Sequence, residues 1–183
     1  KRLLAKAGYA AGPNGVRARK GKELKLTMPV PADTPSNGQR ARAIKRDLMQ
    51  VGIVVNLKMV KAADFFTAHV VSLDFDIVTF AWRGSPSPIS VAQSRFIPIH
   101  SSQNFPGLAY RSRDASFDKA AATLADSLRF TRVAKLDRGI FATPAMVPLS
   151  VTPIVMAVRD NLRNYGAAQF EQPDWTIVGF TDE

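Results

Sequence analysis

The sequence predicts an α/β fold with a mainly parallel sheet flanked by helices. Two observations carry that expectation. Between Leu24 and Trp82 the apolar spacing alternates between runs suited to strands and stripes suited to helices. The resulting order is β-α-β-α-β, and helical stretches of roughly 12–16 residues between strands are long enough for right-handed parallel crossovers.

In chain order, Leu3, Leu4 and Ala7 followed by Gly8 read as the end of a helix with a glycine stop. Ala11-Gly-Pro-Asn-Gly15 is turn chemistry, and Arg17 to Lys22 reads as a basic polar link. Leu24-Lys-Leu-Thr-Met28 alternates apolar and polar residues, the pattern of a strand with one wet face. Pro29 to Gly38, with its three prolines, reads as a loop. Ala41, Ile44, Leu48 and Val51 recur at helical spacing, with Arg40, Lys45 and Arg46 opposite and Gly52 as the stop. Ile53–Val60 is the next strand. Phe65, Phe66, His69, Val70 and Leu73 then form a second amphipathic stripe, with Asp64 near its start.

The run Phe75-Asp-Ile-Val-Thr-Phe-Ala-Trp82 holds six apolar residues in eight and stops at a Gly/Ser/Pro cluster. Such a run predicts a strand buried on both faces. Ligands of open α/β sheets sit beyond the carboxyl ends of strands, so Trp82 is both the last side chain of that strand and the first of a candidate pocket.

Periodicity is lost from Gly84 to Tyr110, a long loop whose apolar residues argue for order. Asp114 is placed to cap a helix with Phe117, Ala121, Leu124 and Leu128 on one face. A second helix follows directly, burying Val133, Leu136 and Ile140, and Thr143 to Pro148 ends it. Val151–Val158 reads as a strand at an edge or crossover, and Asn161–Glu183 as an aromatic tail with little periodicity.

The chain of 183 residues is 46% apolar and 22% charged, enough to bury a full core. Without cysteine it has neither disulfides nor thiolate metal sites. No window resembles a membrane span. The chain starts at Lys1 without Met, partway into a helical pattern, and reads as a C-terminal piece of something longer. The net charge of +10 comes from scattered lysines and arginines. It fits a solvated basic surface, or alternatively a basic module that binds an anionic polymer or surface. Arg40, Arg42, Lys45 and Arg46 share one helix, but no nucleic-acid-binding motif accompanies them, and no nucleic acid is expected as partner.

Reactive constellations are missing from the sequence. His69 and His100 are the only histidines, so no metal is expected, and no phosphate cradle or nucleophile elbow calls for a cofactor or an active site. His69 lies on an apolar stripe and reads as a satisfied core or boundary histidine. Asp114 and Asp118 fall in a first helical turn, where the helix dipole accounts for them. What remains is a ligand-holding inventory: Trp82, the Ser/Pro loop with Ser85, His100 in the long loop, and Asn104-Phe-Pro-Gly-Leu-Ala-Tyr110. Tryptophan offers a flat contact and one donor, asparagine a donor and an acceptor. The expectation is a binding protein rather than an enzyme.

Several stretches, in order, carry a resemblance: Leu3-Leu-Ala-Lys-Ala-Gly-Tyr9, Gly21-Lys-Glu-Leu-Lys-Leu26, Val51-Gly-Ile-Val54, Phe75-Asp-Ile to Trp82, Asn104 to Gly107, Ser116-Phe-Asp118 and Val147-Pro-Leu149. Together they resemble the C-terminal part of family 5 extracellular solute-binding proteins, the oligopeptide-, dipeptide- and nickel-type receptors of ABC importers. Gly166 to Trp175 is similar to actinobacterial members, typically lipoproteins.

The resemblance implies one lobe of a type II periplasmic-binding-protein-like receptor. Residues 1–148 would form the C-terminal ligand-binding lobe, and 149–183 a hinge crossover and return toward the N-terminal lobe. It implies a peptide-like small-molecule ligand, an ABC permease as partner, no catalysis, and an extracytoplasmic location with an N-terminal lipid anchor. Trp82 falls on the family's pocket tryptophan. Where oligopeptide receptors place an aspartate three residues later for the peptide's α-amino group, this chain has Ser85, which supplies no countercharge. The alternative within the fold is a non-transport relative in cell-envelope glycolipid (phosphatidylinositol mannoside) metabolism.

Overall fold

A parallel β-α-β unit carries the first part of the chain. The computed structural model describes residues 1–97, 103–107, 110–142, 145–151, 153–167 and 173–181. The chain divides into two units, Lys1–Ala81 and Trp82–Glu183.

In the first unit, α1 (Arg2–Lys6) stops before Gly8, whose φ of +85° suits a glycine just past a helix end. An antiparallel meander follows: β1 (Ala10–Ala11), β2 (Arg17–Arg19) and β3 (Lys22–Glu23). The Arg17–Lys22 stretch is therefore a hairpin and not a link. Its turn is made by Lys20 at φ +50° and Gly21 at φ +77°, two successive positive values of the kind a two-residue hairpin loop uses. Lysine in the first of those positions hides a signal that Asn-Gly would have announced.

Next come β4 (Lys25–Pro31), α2 (Pro35–Met49) and β5 (Val54–Val60). β4 and β5 pair in parallel from Lys25↔Val54 to Pro31↔Val60. Met28, Val30, Ala41 and Val55 form the buried centre, with Ile44, Leu48, Leu57 and Ile77 packed on it. Ala41, Ile44 and Leu48 of the expected stripe thus lie on the strands, while Val51 falls past the end of α2. Gly52 ends the helix turn at φ +88°, and a Cβ there would meet the Gly15 carbonyl oxygen at 2.7 Å and Arg17 Cγ at 2.8 Å. Arg17 fastens the meander to this corner, donating from Nε to the Val51 carbonyl (3.0 Å) and from Nη1 to the Tyr9 carbonyl (2.7 Å).

Two expectations fail here for one reason. Pro29 and Pro31 lie in β4 and not in a loop. The Leu24 carbonyl and the Ala32 amide bond to β5, so even-numbered residues of β4 face that strand and odd-numbered ones face away. Both prolines therefore sit where no partner on β5 misses their N–H. On the side they face lies the start of Phe75–Trp82, the run expected to be a doubly buried strand. Only Thr27 reaches it: its carbonyl accepts from the Asp76 and Ile77 amides (3.1 and 3.2 Å), and its amide donates to Asp76 Oδ2 (2.7 Å). Beyond Ile77 no ladder forms among the described residues, and Ile77 to Phe80 are half-buried.

Between β5 and that segment, α3 (Ala62–Asp64) runs into a π-helical turn, Phe65–Val70. The wider turn rotates the stripe. Phe65, His69 and Val70 are buried, whereas Phe66 and Leu73 are exposed, contrary to the helical spacing. His69 Nδ1 donates to Asp74 Oδ2 at 2.8 Å, and Lys58 Nζ lies 3.5 Å from the same oxygen. His69 is thus a satisfied boundary histidine.

The described helices of the second unit are α4 (Pro88–Phe96), a 3₁₀ turn (Arg111–Arg113), α5 (Asp114–Ala121) and α6 (Asp126–Phe141). Phe96, Ile97, Phe117, Ala120, Leu136 and Ile140 form its buried cluster. α4 replaces part of the expected loop, and Pro88 in its first turn with Ile89, Ala92 and Phe96 at helical spacing explains it. Asp114 is the first residue of α5 and not its cap, and Gln93 Nε2 donates to both Asp114 and Asp118 (2.7 and 2.9 Å). α5 stops at Ala121, so Leu124 and Leu128 leave the expected face for solvent, and Ala120 is buried in place of Ala121. Val151–Val158 is not a strand in its described residues. Val151 and Val155 are 95% and 83% exposed, since an apolar run needs a neighbouring strand to take its backbone bonds. In the tail, β6 (Leu162–Arg163) pairs antiparallel with β7 (Gly179–Phe180).

A Gly52→Ala substitution should cost about 2 kcal/mol or more, read as a lower urea midpoint with an unchanged slope. Asp74 gives a pH signature. The His69 hydrogen bond and the Lys58 charge hold its carboxyl below the ordinary value. Its contribution is complete above the unfolded carboxylate range and disappears as pH falls through the lowered value. Melting temperatures of the native chain and Asp74→Asn should therefore differ at neutral pH and converge on acidification.

Candidate functional site

Trp82 opens the second unit, and an extended stretch leads from it through Ser85 into α4. The helix returns Arg95 to the indole, with Cζ 4.7 Å from the Trp82 ring centroid. Arg95 Nη2 donates to the Arg83 carbonyl at 3.3 Å, which anchors the guanidinium beside the tryptophan. The Phe105 ring stacks on Trp82 with centroids 6.1 Å apart and planes 12° from parallel. A cation over an indole contributes about 0.5–2 kcal/mol depending on desolvation, and an aromatic pair about 0.5–1.5 kcal/mol. The indole is thus held by side chains, and it remains half-buried.

Asn104 is buried at 4% exposure, next to Phe105, and its carbonyl accepts the Gly107 amide at 3.2 Å. Gly107 takes φ +65°, which closes this turn. Ser85 is half-buried, and its Oγ accepts the Ser87 amide at 3.1 Å, leaving its O–H to donate. His100 lies outside the described residues. Of the expected site residues, Trp82 and the Asn104 turn come together through Phe105, while Ser85 stands on the stretch entering α4.

Arg95 is the residue that the sequence pattern did not single out. Burial lowers its pKa from the ordinary arginine value, and its Nε is buried without a hydrogen-bond partner among the described residues. Its signal was present in principle: a lone cation near the end of a helix starting six residues after Trp82. Reading it required recognising that helix.

The neighbouring cavity between Phe96, Tyr110 and Ile140 measures about 10 Å³, room for one water and no solute. Among the described residues no group of three or more histidines and carboxylates is placed to hold a metal ion. No helix among them is long and apolar enough to cross a membrane. The chemistry on offer is flat contact, a cation and short polar donors.

A mixed α/β scaffold presenting such a wall has the class character of a ligand-binding module. The comparisons make that specific: residues 1–129 match the family model of bacterial extracellular solute-binding proteins, family 5, and the chain belongs to that family. It is similar to the oligopeptide-binding protein OppA of Mycobacterium tuberculosis H37Rv, 28% identical over 148 residues, covering 81% of this chain and 25% of that protein. The OppA of Mycobacterium bovis matches equally. The chain spans about a quarter of the length of these curated relatives.

Solved structures share the fold. An oligopeptide-binding protein of Thermotoga maritima bound to mannohexaose superposes with a TM-score of 0.69 at 21% identity, over 80% of this chain and 29% of that one. NikZ of Campylobacter jejuni with Ni(L-His) gives 0.67 at 20% identity, over 79% and 29%. A substrate-binding protein of Sinorhizobium meliloti gives 0.67 at 20% identity, over 99% and 36%. The type II periplasmic-binding-protein-like class expected from the sequence is therefore the class observed.

Replacing Arg95 by methionine should keep the packing but remove the charge. We expect red-shifted, more quenchable Trp82 emission in a Trp175→Phe background, measured by acrylamide titration.

Proposed function

We propose that this chain is the C-terminal lobe of the solute-binding subunit of an ABC importer and has no catalytic activity. Residues 1–148 would form the ligand-binding lobe and 149–183 the hinge crossover and return segment toward the N-terminal lobe. The observation that carries the reading is a half-buried Trp82 indole fixed by Arg95 and Phe105 in a family 5 chain. A peptide-like solute would stack on Trp82 and take polar contacts from Ser85, Asn104 and His100. Closure against the other lobe would bury it and signal the loaded state to a membrane permease. The location would be extracytoplasmic, as the family description states for its members, with an N-terminal lipid as anchor.

Ser85 and Arg95 favour a second reading of the ligand. The site's edge carries a cation and a hydroxyl where an ammonium-binding carboxylate would be expected. A guanidinium suits carboxylate or phosphate. An acidic or phosphate-bearing solute, including an envelope glycolipid handled by a non-transport relative, is the alternative to a peptide amine.

The test is calorimetric titration of the two-lobed receptor carrying this chain, with a panel of peptides and anionic glycolipids. Trp82→Ala should weaken the best ligand at least tenfold, about 1.4 kcal/mol. Unchanged affinity would remove Trp82 from the site. Arg95→Ala should weaken acidic solutes selectively, and equal losses for all solutes would reject the second reading.

A further inference from the structure

The cations are scattered, but most of the net positive charge lies far from the tryptophan in sequence. Residues 1–25 contain eight lysines and arginines against one acid, Glu23, a net +7 of the chain's +10. The meander built from them lines an open cleft of about 530 Å³, with Tyr9, Arg19, Lys20, Lys22 and Lys25 on its walls.

Some of these cations have structural duties. Arg17 is committed to two backbone carbonyls, and Lys25 pairs with Glu23 at 2.7 Å. Glu23 also accepts from Asn14 (2.9 Å), and these partners lower its pKa, so the single acid is occupied. Arg19, Lys20 and Lys22 have no side-chain ion pair or hydrogen bond among the described residues.

Lys20 is also in an unfavourable place. It takes φ +50° at the hairpin tip, where asparagine or glycine would fit at lower cost. A lysine at that position projects a charge at the expense of local stability. Close by in sequence, α1 carries Leu3 at 77% exposure between Arg2 and Lys6. The helix end abuts the meander, since a Cβ on Gly8 would stand 3.7 Å from Arg19 Cδ.

We propose that the α1–β3 face binds an anionic phospholipid surface. Arg19, Lys20 and Lys22 would engage lipid phosphates and Leu3 would enter the interfacial layer. Exposed cations on the hairpin beside an exposed leucine on the adjoining helix match an anionic interface better than a soluble polyanion, which offers the leucine nothing. The proposal stands apart from the solute reading, because none of its residues belongs to the Trp82 site.

Sedimentation of the 183-residue chain with phosphatidylcholine vesicles, with and without phosphatidylglycerol, tests it. Binding should require phosphatidylglycerol and fall steeply with added salt. Each cation removed should weaken binding roughly fivefold, and Arg19→Gln/Lys20→Asn/Lys22→Gln together roughly a hundredfold. Lys20→Asn is the decisive single change: its melting temperature should equal or exceed the native value while binding drops. Leu3→Ser should weaken vesicle binding and leave any binding of inorganic polyphosphate untouched. Equal binding to both vesicle types, or a triple variant that sediments like the native chain, would overturn the proposal. Polyphosphate binding with indifference to Leu3→Ser on vesicles would replace the lipid surface with a soluble polyanion.

Discussion

The parallel pairing of Lys25–Pro31 with Val54–Val60 is the constraint on which the first unit depends. Its seven register pairs fix which residues of β4 look toward β5 and which look away. The same register lets α2 cover Met28, Val30 and Val55 with Ala41, Ile44 and Leu48. Because Pro29 and Pro31 fall on the outward parity, the inner ladder loses no donor, while the outer side of β4 keeps N–H donors only at Lys25 and Thr27. The sheet therefore stops at two full strands and one point of attachment at Thr27.

That stop shapes how the candidate site is held. A tryptophan at the end of a fully laddered strand would be positioned by its backbone. Here Trp82 is positioned by Arg95 from α4 and Phe105 from the Asn104–Gly107 turn, contacts within its own unit. A site held by side chains can change its ligand chemistry by changing those side chains. In this chain those side chains are the Arg95 guanidinium over the indole and, on the stretch entering α4, the Ser85 hydroxyl.

The β-α-β unit was legible because each element carried its own period and its own stop, as Gly52 does for α2. The turn cluster after Trp82 is what marks it in the sequence as a candidate site residue. Other features were hidden for physical reasons. Proline suggests a loop unless the parity of the strand is known, and Lys20-Gly21 conceals a hairpin behind an atypical first residue. The π-helical turn at Phe65–Val70 rotates the buried face away from Phe66 and Leu73. Leu124 and Leu128 extend an apolar spacing past the point where α5 ends. Arg95 became visible only once Pro88–Phe96 was seen to be a helix.

Amide hydrogen exchange resolved by residue tests the central constraint most directly. Met28 and Val30 on β4, with Asn56 and Lys58 on β5, should exchange slowest in the first unit, because the register directs their amides into the ladder. Asp76 and Ile77 should show intermediate protection, and Val78, Thr79 and Ala81 should exchange rapidly. Protection at Val78, Thr79 and Ala81 equal to that of β5 would reveal a complete third strand and contradict the role given to Pro29 and Pro31.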